Sequence, residues 1–137
     1  SLEKDFILRI DLIESHLEAL KKIEPERNQK IELKLREALA DLKIEIDANR
    51  FEQELIFYLE KFDITEEKVR LKNHLDYFKK IMKSEAPVGK KLGFIAQELG
   101  REINTIGSKA NHSELQKIVV QMKDELEKIK EQLLNVL

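Results

Sequence analysis

Apolar side chains recur every third or fourth residue along almost the whole chain, and this period limits the fold more than any other feature. It is the repeat of an amphipathic α-helix, whereas a half-buried strand alternates every second residue. Only four Gly and two Pro interrupt the pattern in 137 residues. The pattern therefore predicts an all-α fold, and the length predicts a single helical domain over 1–137.

The interruptions divide the chain into about six predicted helices. A first apolar series begins at Leu2 and stops before Pro25, and a second series runs from Ile31 to Ile46. Because proline disrupts a helix interior, the two series predict a long antiparallel helical hairpin over 1–48. Residues 49–137 are then expected to form a helical bundle with a long C-terminal helix.

Local signals predict where the helices of the bundle begin and end. Thr65 is expected to cap one helix, and Gly107 to stop another. Asn111, with Glu114 three positions later, resembles a capping box that would open the last helix. The last helix has nearly heptad apolar spacing, so we expect it to pack in the bundle or to coil with a partner. Its apolar positions are Leu115, Ile118, Met122, Leu126, Ile129, Leu133 and Val136.

Composition excludes several classes of protein. The chain has no cysteine, so disulfides and thiolate metal sites are ruled out. No apolar run approaches the ~20 residues of a membrane-spanning helix, and no signal peptide heads the chain, so a soluble cytoplasmic protein is expected. The motifs of zincins, zinc deaminases and P-loop enzymes are missing. The first residue is Ser1 rather than Met, which favours a tag remnant or a fragment.

The stretch from Gln97 to Glu114 has an unusual density of hydrogen-bonding side chains. On a helix they form two neighbouring rows, one with Gln97, Arg101, Asn104 and Ser108 and one with Glu98, Glu102 and Thr105. Glu98 and Glu102 are one turn apart and repel unless a basic side chain or a bound cation compensates. Two solvated glutamates would give the same pattern, so both interpretations stay open.

Other features have a structural explanation beside a functional one. Gly93 and Gly100 each cost about 1 kcal/mol relative to alanine in a helix, and close packing of another helix is favoured over a phosphate contact. His74 follows Arg70 by one turn, but a lone helical histidine more often packs than catalyses.

Five lysines near Pro87 would attract RNA or form a solvated surface. These lysines are Lys79, Lys80, Lys83, Lys90 and Lys91.

Several polar motifs occur in order from residue 49 to the end of the chain. They are Arg-x-Glu-Gln-Glu at 50–54, Asp-Ile-x-Glu-Glu at 63–67, Arg70-Leu71, His74, Gly-Lys-Lys-Leu at 89–92, Gln97-Glu98, Arg-Glu-Ile-Asn-Thr at 101–105 and Ser108-Lys109. In these motifs the chain resembles the C-terminal portion of the YicC family of bacterial proteins. The first two predicted helices match that family in character only. Gly93 and Gly100 depart from it, since the family usually has Asp and Asn there.

The resemblance implies an activity, a cofactor and an assembly. Members of the family look like metal-dependent endoribonucleases, are also described as stress-induced proteins, and assemble as ring-shaped homohexamers. RNA, further copies of the chain and the family's N-terminal domain, which has no counterpart here, are therefore the expected partners. The expected cofactor is a divalent cation, Mn²⁺ or Mg²⁺, because carboxylate and amide oxygens are the ligands that these ions prefer.

The resemblance also suggests roles for individual residues. Glu98, Glu102 and His74 are the expected catalytic residues, with His74 as a proton shuttle, since imidazoles titrate near neutral pH. The expected metal ligands are Glu54, Glu98, Glu102 and Asp63, with Glu66 as an alternative to Asp63. RNA would be bound by Arg50, Arg70, Lys90, Lys91, Arg101, Asn104, Thr105, Ser108 and Lys109.

Two other functions fit the same residues. A non-enzymatic adaptor of RNA decay would use the polar helix face to bind RNA or a nuclease. An oligomerisation module would use the last helix and the acidic hairpin to build a ring. Aromatic residues are only 6% of the chain, which favours recognition of RNA shape or backbone over extensive base stacking.

Overall fold

The computed structural model describes residues 1–42, 47–84, 89–110 and 112–135, and within them the chain forms five α-helices. These helices are α1 (Leu2–Asp41), α2 (Ala48–Lys61), α3 (Thr65–Met82), α4 (Gly89–Lys109) and α5 (Ser113–Leu133). The described residues contain no strand, which confirms the all-α prediction. None of the described helices has an apolar stretch that would cross a bilayer.

The N-terminal half of α1 packs with α3, α4 and α5 as a four-helix bundle. α1 lies against α3 and α5, and α4 lies between α3 and α5. The apolar spacing predicted the buried face of α4 correctly, from Leu92 to Ile106. The described heptad-like positions of α5 are buried too, so that face packs within the chain.

The predicted hairpin with its turn at Pro25 is wrong, because α1 continues through the proline as one 40-residue helix. Proline inside a helix costs about 3 kcal/mol through a lost hydrogen bond and a steric clash. Two tertiary contacts stabilise the helix around it. Glu24 pairs with Lys68 of α3, and the buried guanidinium of Arg27 donates to the carbonyl of Phe62 at 2.8 Å. Because no turn separates the two apolar series, the six expected helices become five.

An antiparallel helix pair does occur, but between the C-terminal half of α1 and α2. Arg36 of α1 forms an ion pair with Glu52 of α2 at 2.9 Å, and its guanidinium lies 4.4 Å from the centre of the Phe51 ring. An open apolar groove of about 680 Å³ runs between the two helices. We call this pair of helices the arm. Leu55 is the only residue of α2 that is buried, so the arm is packed far less tightly than the bundle.

Gly100 and Gly107 lie where α4 contacts α5. A Cβ added at Gly100 would lie 3.3 Å from Leu126, and one added at Gly107 would lie 3.0 Å from Val119. The prediction of close helix packing is thus confirmed for Gly100 and wrong for Gly93, which has no heavy atom within 4 Å of that position. Gly107 does not stop α4, which continues to Lys109.

The helix starts differ by small shifts from the predicted caps. Thr65 is the first residue of α3, and the carboxylate of Asp63 accepts a hydrogen bond from its backbone N–H at 2.8 Å. The predicted cap Asn111 lies outside the described residues. His112 caps α5, since its Nδ1 accepts from the backbone N–H of Glu114 at 3.3 Å.

Candidate functional site

The two polar rows of α4 have different surroundings. Gln97, Arg101, Asn104 and Ser108 are all exposed, as a row on the free side of a packed helix must be. In the neighbouring row, Glu102 is buried and Glu98 and Thr105 are half-buried. The second row therefore borders α3, and the first faces solvent.

An ion pair between a buried carboxylate and a partly exposed arginine joins the second row to α3. Glu102 is only 4% exposed, and its Oε1 accepts from Nε of Arg70 at 2.9 Å. Arg70 also donates to Glu66 at 3.2 Å and lies 3.7 Å from Glu67. Glu102, and after it Glu66, raise the pKa of Arg70 above its ordinary value through hydrogen bonds and charge attraction. Arg70 was predicted to hold RNA, but three carboxylates surround it.

Glu67 is a second buried carboxylate at this interface. It is 5% exposed, and its Oε1 accepts from Nζ of Lys109 at 2.9 Å. Burial by itself would raise the pKa of Glu67, but the hydrogen bond and the charge of Lys109 outweigh it and the pKa lies below its ordinary value. The other carboxylate oxygen of Glu67 is buried and has no hydrogen-bond partner among the described residues.

Asp63 completes the same end of the interface. Its carboxylate accepts from the hydroxyl and backbone of Thr65, and these bonds hold the pKa of Asp63 below its ordinary value. Its backbone carbonyl accepts from Nζ of Lys109 at 3.0 Å. We refer to the group as the α3/α4 ionic cluster, in which carboxylates outnumber basic side chains by two. Its members are Asp63, Glu66, Glu67, Arg70, Glu102 and Lys109.

His74 lies beside this cluster rather than in it. α3 and α4 are antiparallel, with Arg70 opposite Glu102, so one further turn places His74 opposite Glu98. The ring is half-buried and has no hydrogen-bond partner among the described residues. The three residues predicted as catalytic thus lie along one interface, although no contact joins His74 to either glutamate.

Other predicted residues lie elsewhere. Glu54 and Arg50 line the apolar groove of the arm. Lys90 and Lys91 are exposed in the first turn of α4, about 28 Å along the helix from Lys109. The structure therefore does not bring the four expected metal ligands together. The described ranges contain no group of three His, Cys, Asp or Glu side chains that would hold a metal ion.

The hydroxyls predicted to contact RNA bond within their own helix. Thr105 donates to the carbonyl of Arg101, and Ser108 to the carbonyl of Thr105, each at 3.0 Å. Arg101 is 74% exposed, and its nearest carboxylate is Glu98 at 3.9 Å. Of the predicted RNA-binding cations on α3 and α4, Arg101, Lys90 and Lys91 are therefore the ones without a close carboxylate among the described residues. Arg70 is 46% exposed, but its guanidinium is paired with carboxylates.

Comparison with known proteins identifies the family. A protein-family model described as "Endoribonuclease YicC-like, C-terminal" matches residues 18–137. The chain belongs to this family. The YicC-like match begins within α1 and includes every residue of the ionic cluster.

Two relatives show the same likeness. A protein of Clostridioides difficile (strain 630) named probable endoribonuclease YicC is 40% identical over 139 aligned residues, which cover 98% of this chain and 47% of the relative. A protein of Haemophilus influenzae with the same name is 35% identical over 103 residues, 75% of this chain and 36% of the relative. The chain thus spans less than half the length of these YicC relatives.

Two residues of this YicC-like domain have an importance that sequence reasoning missed. Arg27 is 2% exposed, and two of its nitrogens have no partner in the described part of the chain. Glu67 was identified in the sequence only as part of the Asp-Ile-x-Glu-Glu motif at 63–67. Both positions lie in the register of the buried apolar series, Arg27 four residues after Ile23 and Glu67 four before Leu71. This register was the signal that could have located them, although their partners lie far away in the chain.

Proposed function

We propose that this chain is the C-terminal domain of an endoribonuclease and that RNA is cut beside the α3/α4 ionic cluster. The observation that carries the proposal is that Glu102 pairs with Arg70 across the α3/α4 interface, next to the exposed polar row of α4. Glu98 lies one helical turn from Glu102, and His74 lies one turn from Arg70. The proposal is further supported by the family match and by the printed names of the two relatives.

The exposed cations of α4 would bind the RNA, and the ionic cluster would position the carboxylates. Arg101, Lys90 and Lys91 would bind phosphates, because their charges are accessible. Arg70 and Lys109 already pair with buried carboxylates, so they would act as positioning residues that fix Glu102 and Glu67. RNA lying on α4 would then pass beside Glu98 and His74.

Cleavage of a phosphodiester needs one group that takes a proton from the attacking hydroxyl and one that protonates the leaving oxygen. His74 would serve as one of these groups, because imidazoles both accept and donate protons near neutral pH and this ring is half-buried at the interface. Glu98 is the more exposed of the two α4 glutamates and would serve as the other. Glu102 would keep Arg70 in place between the two helices.

A divalent cation, Mn²⁺ or Mg²⁺, belongs to the proposal. Such an ion would stabilise negative charge on the phosphoryl oxygens and lower the pKa of the attacking group. Mg²⁺ is commonly bound by one or two carboxylates together with waters and substrate phosphates. Glu98 and Glu102 would fit that mode, next to a cluster with an excess of carboxylates. The wider set with Glu54 and Asp63 would not, because these residues do not form one group.

We further propose that the full-length protein is a homo-oligomer. The arm has an open apolar groove of about 680 Å³, and two large side chains of α2, Ile56 and Phe57, are more than half exposed. Exposed apolar surfaces of this kind are typical of protein interfaces. Light scattering coupled to size-exclusion chromatography would give the mass, and a monomer at micromolar concentration would contradict this part.

A non-enzymatic adaptor is the second candidate. It is favoured by the exposed face of α4, which has cations without a carboxylate among its exposed residues and would bind RNA without any cleavage. Such a protein would show RNA affinity that depends on Arg101 and no cleavage under any metal condition.

Cleavage of an RNA labelled at its 5′ end tests the proposal. This chain, and a chain extended to the full length of the relatives, would be incubated with Mn²⁺, Mg²⁺ or EDTA. We expect metal-dependent internal cuts that fall at least ~100-fold in Glu98→Gln, which removes one charge and keeps the shape. Glu127→Gln on α5 is the matched control, because Glu127 also pairs with a basic side chain three positions further on, Lys130.

The outcomes separate the candidates. Cuts only in the extended chain would mean that groups outside this chain complete the site. RNA binding without cuts in either chain would favour the adaptor. Equal cleavage by Glu98→Gln and Glu127→Gln would contradict the placement of the site on α4.

A further inference from the structure

The first turns of α4 form a shallow recess around an exposed aromatic ring. Phe94 is 69% exposed, whereas the next two residues, Ile95 and Ala96, are buried in the core. The recess has a volume of about 360 Å³ and is lined by Gly89, Lys90, Gly93, Phe94 and Gln97. Because nothing lies within 4 Å of a Cβ built at Gly93, a flat group would reach the helix backbone beside the ring.

The recess continues into the polar face of the helix. Lys90, Phe94, Gln97, Arg101, Asn104 and Ser108 are all exposed and fall within roughly 80° of one another around the helix axis. We call them the exposed α4 face. It runs for about 27 Å along the helix, which is on the order of eight stacked nucleotides at the rise of one strand.

No acidic residue belongs to this face. With Lys91, its members are all of the residues of α4 that are exposed, and half-buried Glu98 borders them. Each of the other four described helices has at least one exposed acid, for example Glu3, Glu52, Glu66 and Glu114. In a chain whose net charge is −2, a helix face with cations alone is the surface on which a polyanion would lie.

We propose that Phe94 is a stacking platform for an unpaired RNA base and that the exposed α4 face carries the adjoining single strand. This inference rests on the proposed function, which gives RNA as the ligand, and it names the substrate class as RNA with unpaired bases. The ring supplies a stacking surface for any base, Lys90 and Arg101 neutralise phosphates, and Gln97 and Asn104 offer amide donors and acceptors. One such ring is compatible with the low aromatic content of the chain.

A protein partner fits this surface less well. The core of a protein interface is apolar and depleted of charge, whereas the neighbours of Phe94 in the recess are a lysine, a glutamine and two glycines. A paired RNA helix also fits poorly, because its bases are stacked inside the duplex and do not reach the ring.

Fluorescence anisotropy with an unstructured, fluorescein-labelled RNA of about 12 nucleotides tests the platform. EDTA is present throughout, so that binding is measured without cleavage. We expect Phe94→Ala to weaken binding about 5- to 150-fold, the range for removal of one stacked base. Phe94→Trp keeps an aromatic ring and should bind at least as tightly as the unchanged chain. Val120→Ala on α5 is the matched control, because Val120 is a similarly exposed apolar side chain away from the face.

Three results would overturn the platform. They are unchanged affinity in Phe94→Ala, an equal decrease in Phe94→Ala and Phe94→Trp, and binding of a blunt RNA duplex as tight as that of the single strand. Absence of RNA binding by the unchanged chain would overturn it as well.

Cleavage by the extended chain separates this inference from the proposed function. Cleavage that persists while Phe94→Ala binds normally would remove the platform and leave the endoribonuclease. Binding that depends on Phe94, without cleavage by the extended chain, would leave the platform and remove the endoribonuclease.

Discussion

The basic residues on the two sides of α4 differ in whether carboxylates neutralise their charges. On the side that packs against α3, Lys109 of α4 contacts the carboxylate of Glu67 at 2.9 Å, and Arg70 of α3 contacts that of Glu102 at 2.9 Å. Both of these carboxylates are almost completely buried. On the free side, Lys90 has no ion-pair partner among the described residues, and Arg101 has a single one at 3.9 Å. α4 thus has one basic residue that is neutralised by a carboxylate, Lys109, and others whose charges are accessible, Lys90 and Arg101.

The difference shows which cations a polyanion would meet. A phosphate that approached Arg70 would compete with Glu66, Glu67 and Glu102, whereas one that approached Lys90 or Arg101 would displace mainly water and counterions. The residue type does not decide the role. The paired cations hold the interface together, and the accessible ones remain for a ligand.

Replacement of Arg70 or Arg101 with alanine should show the largest difference between a paired and an accessible cation. Arg70→Ala leaves Glu102 buried without its ion-pair partner, so we expect it to lower the free energy of unfolding clearly more than Arg101→Ala does. Arg101→Ala removes an exposed side chain with one weak ion pair and should change stability by less than about 0.5 kcal/mol. Urea denaturation monitored by circular dichroism measures both.

RNA affinity of the same two variants should show the reverse order. Under conditions in which Arg70→Ala is folded, its affinity for RNA should be close to that of the unchanged chain, and that of Arg101→Ala should be lower. Equal destabilisation by the two substitutions would contradict the distinction between paired and accessible cations.

Acid should weaken the α3/α4 side through its carboxylates. The folded-state pKa values of Glu67 and Asp63 lie below their ordinary values of 4.5 and 3.8. A lowered folded pKa contributes stability in full above the ordinary value, and that stability is lost as pH falls through the folded pKa. The free energy of unfolding should therefore decrease as pH falls below about 4.5.

Two variants sharpen this pH prediction. Glu67→Gln should be less stable at pH 7 and should lose less stability on acidification, because one of the responsible carboxylates is gone. Arg101→Ala should keep the pH dependence of the unchanged chain. Urea denaturation between about pH 7 and about pH 3 gives the curves, and parallel curves for Glu67→Gln and the unchanged chain would contradict the assignment.

Much of the fold could be predicted from the sequence because its signals are local. The spacing of Leu92, Leu99 and Ile106 predicts the buried face of α4 without knowledge of its neighbours. The predicted turn at Pro25 failed for the opposite reason, since contacts of Glu24 and Arg27 with distant residues stabilise α1 across the proline. The predicted helix stop at Gly107 failed for the same reason, because this glycine lies against Val119 of α5.

The candidate site was less predictable, because its pairs lie far apart in the chain. The two rows of α4 followed from helical geometry, and the exposure of Arg101 and Asn104 agrees with them. The partner of Glu102, however, is 32 residues away on α3, and no local pattern points to Arg70 as that partner. Sequence periodicity places a side chain on a face, but only the packing of helices shows which charges remain accessible.

The salt dependence of RNA affinity in Lys90→Met and Lys109→Met shows whether the exposed α4 face, and not the paired cations, binds phosphates. Both substitutions remove one lysine from α4, one from the exposed face and one from the ion pair with Glu67. For a single strand, removal of one phosphate-binding cation lowers the slope of log affinity against log salt by ~0.7. We predict that decrease for Lys90→Met and an unchanged slope for Lys109→Met. The opposite result, with the slope lowered by Lys109→Met alone, would contradict the account.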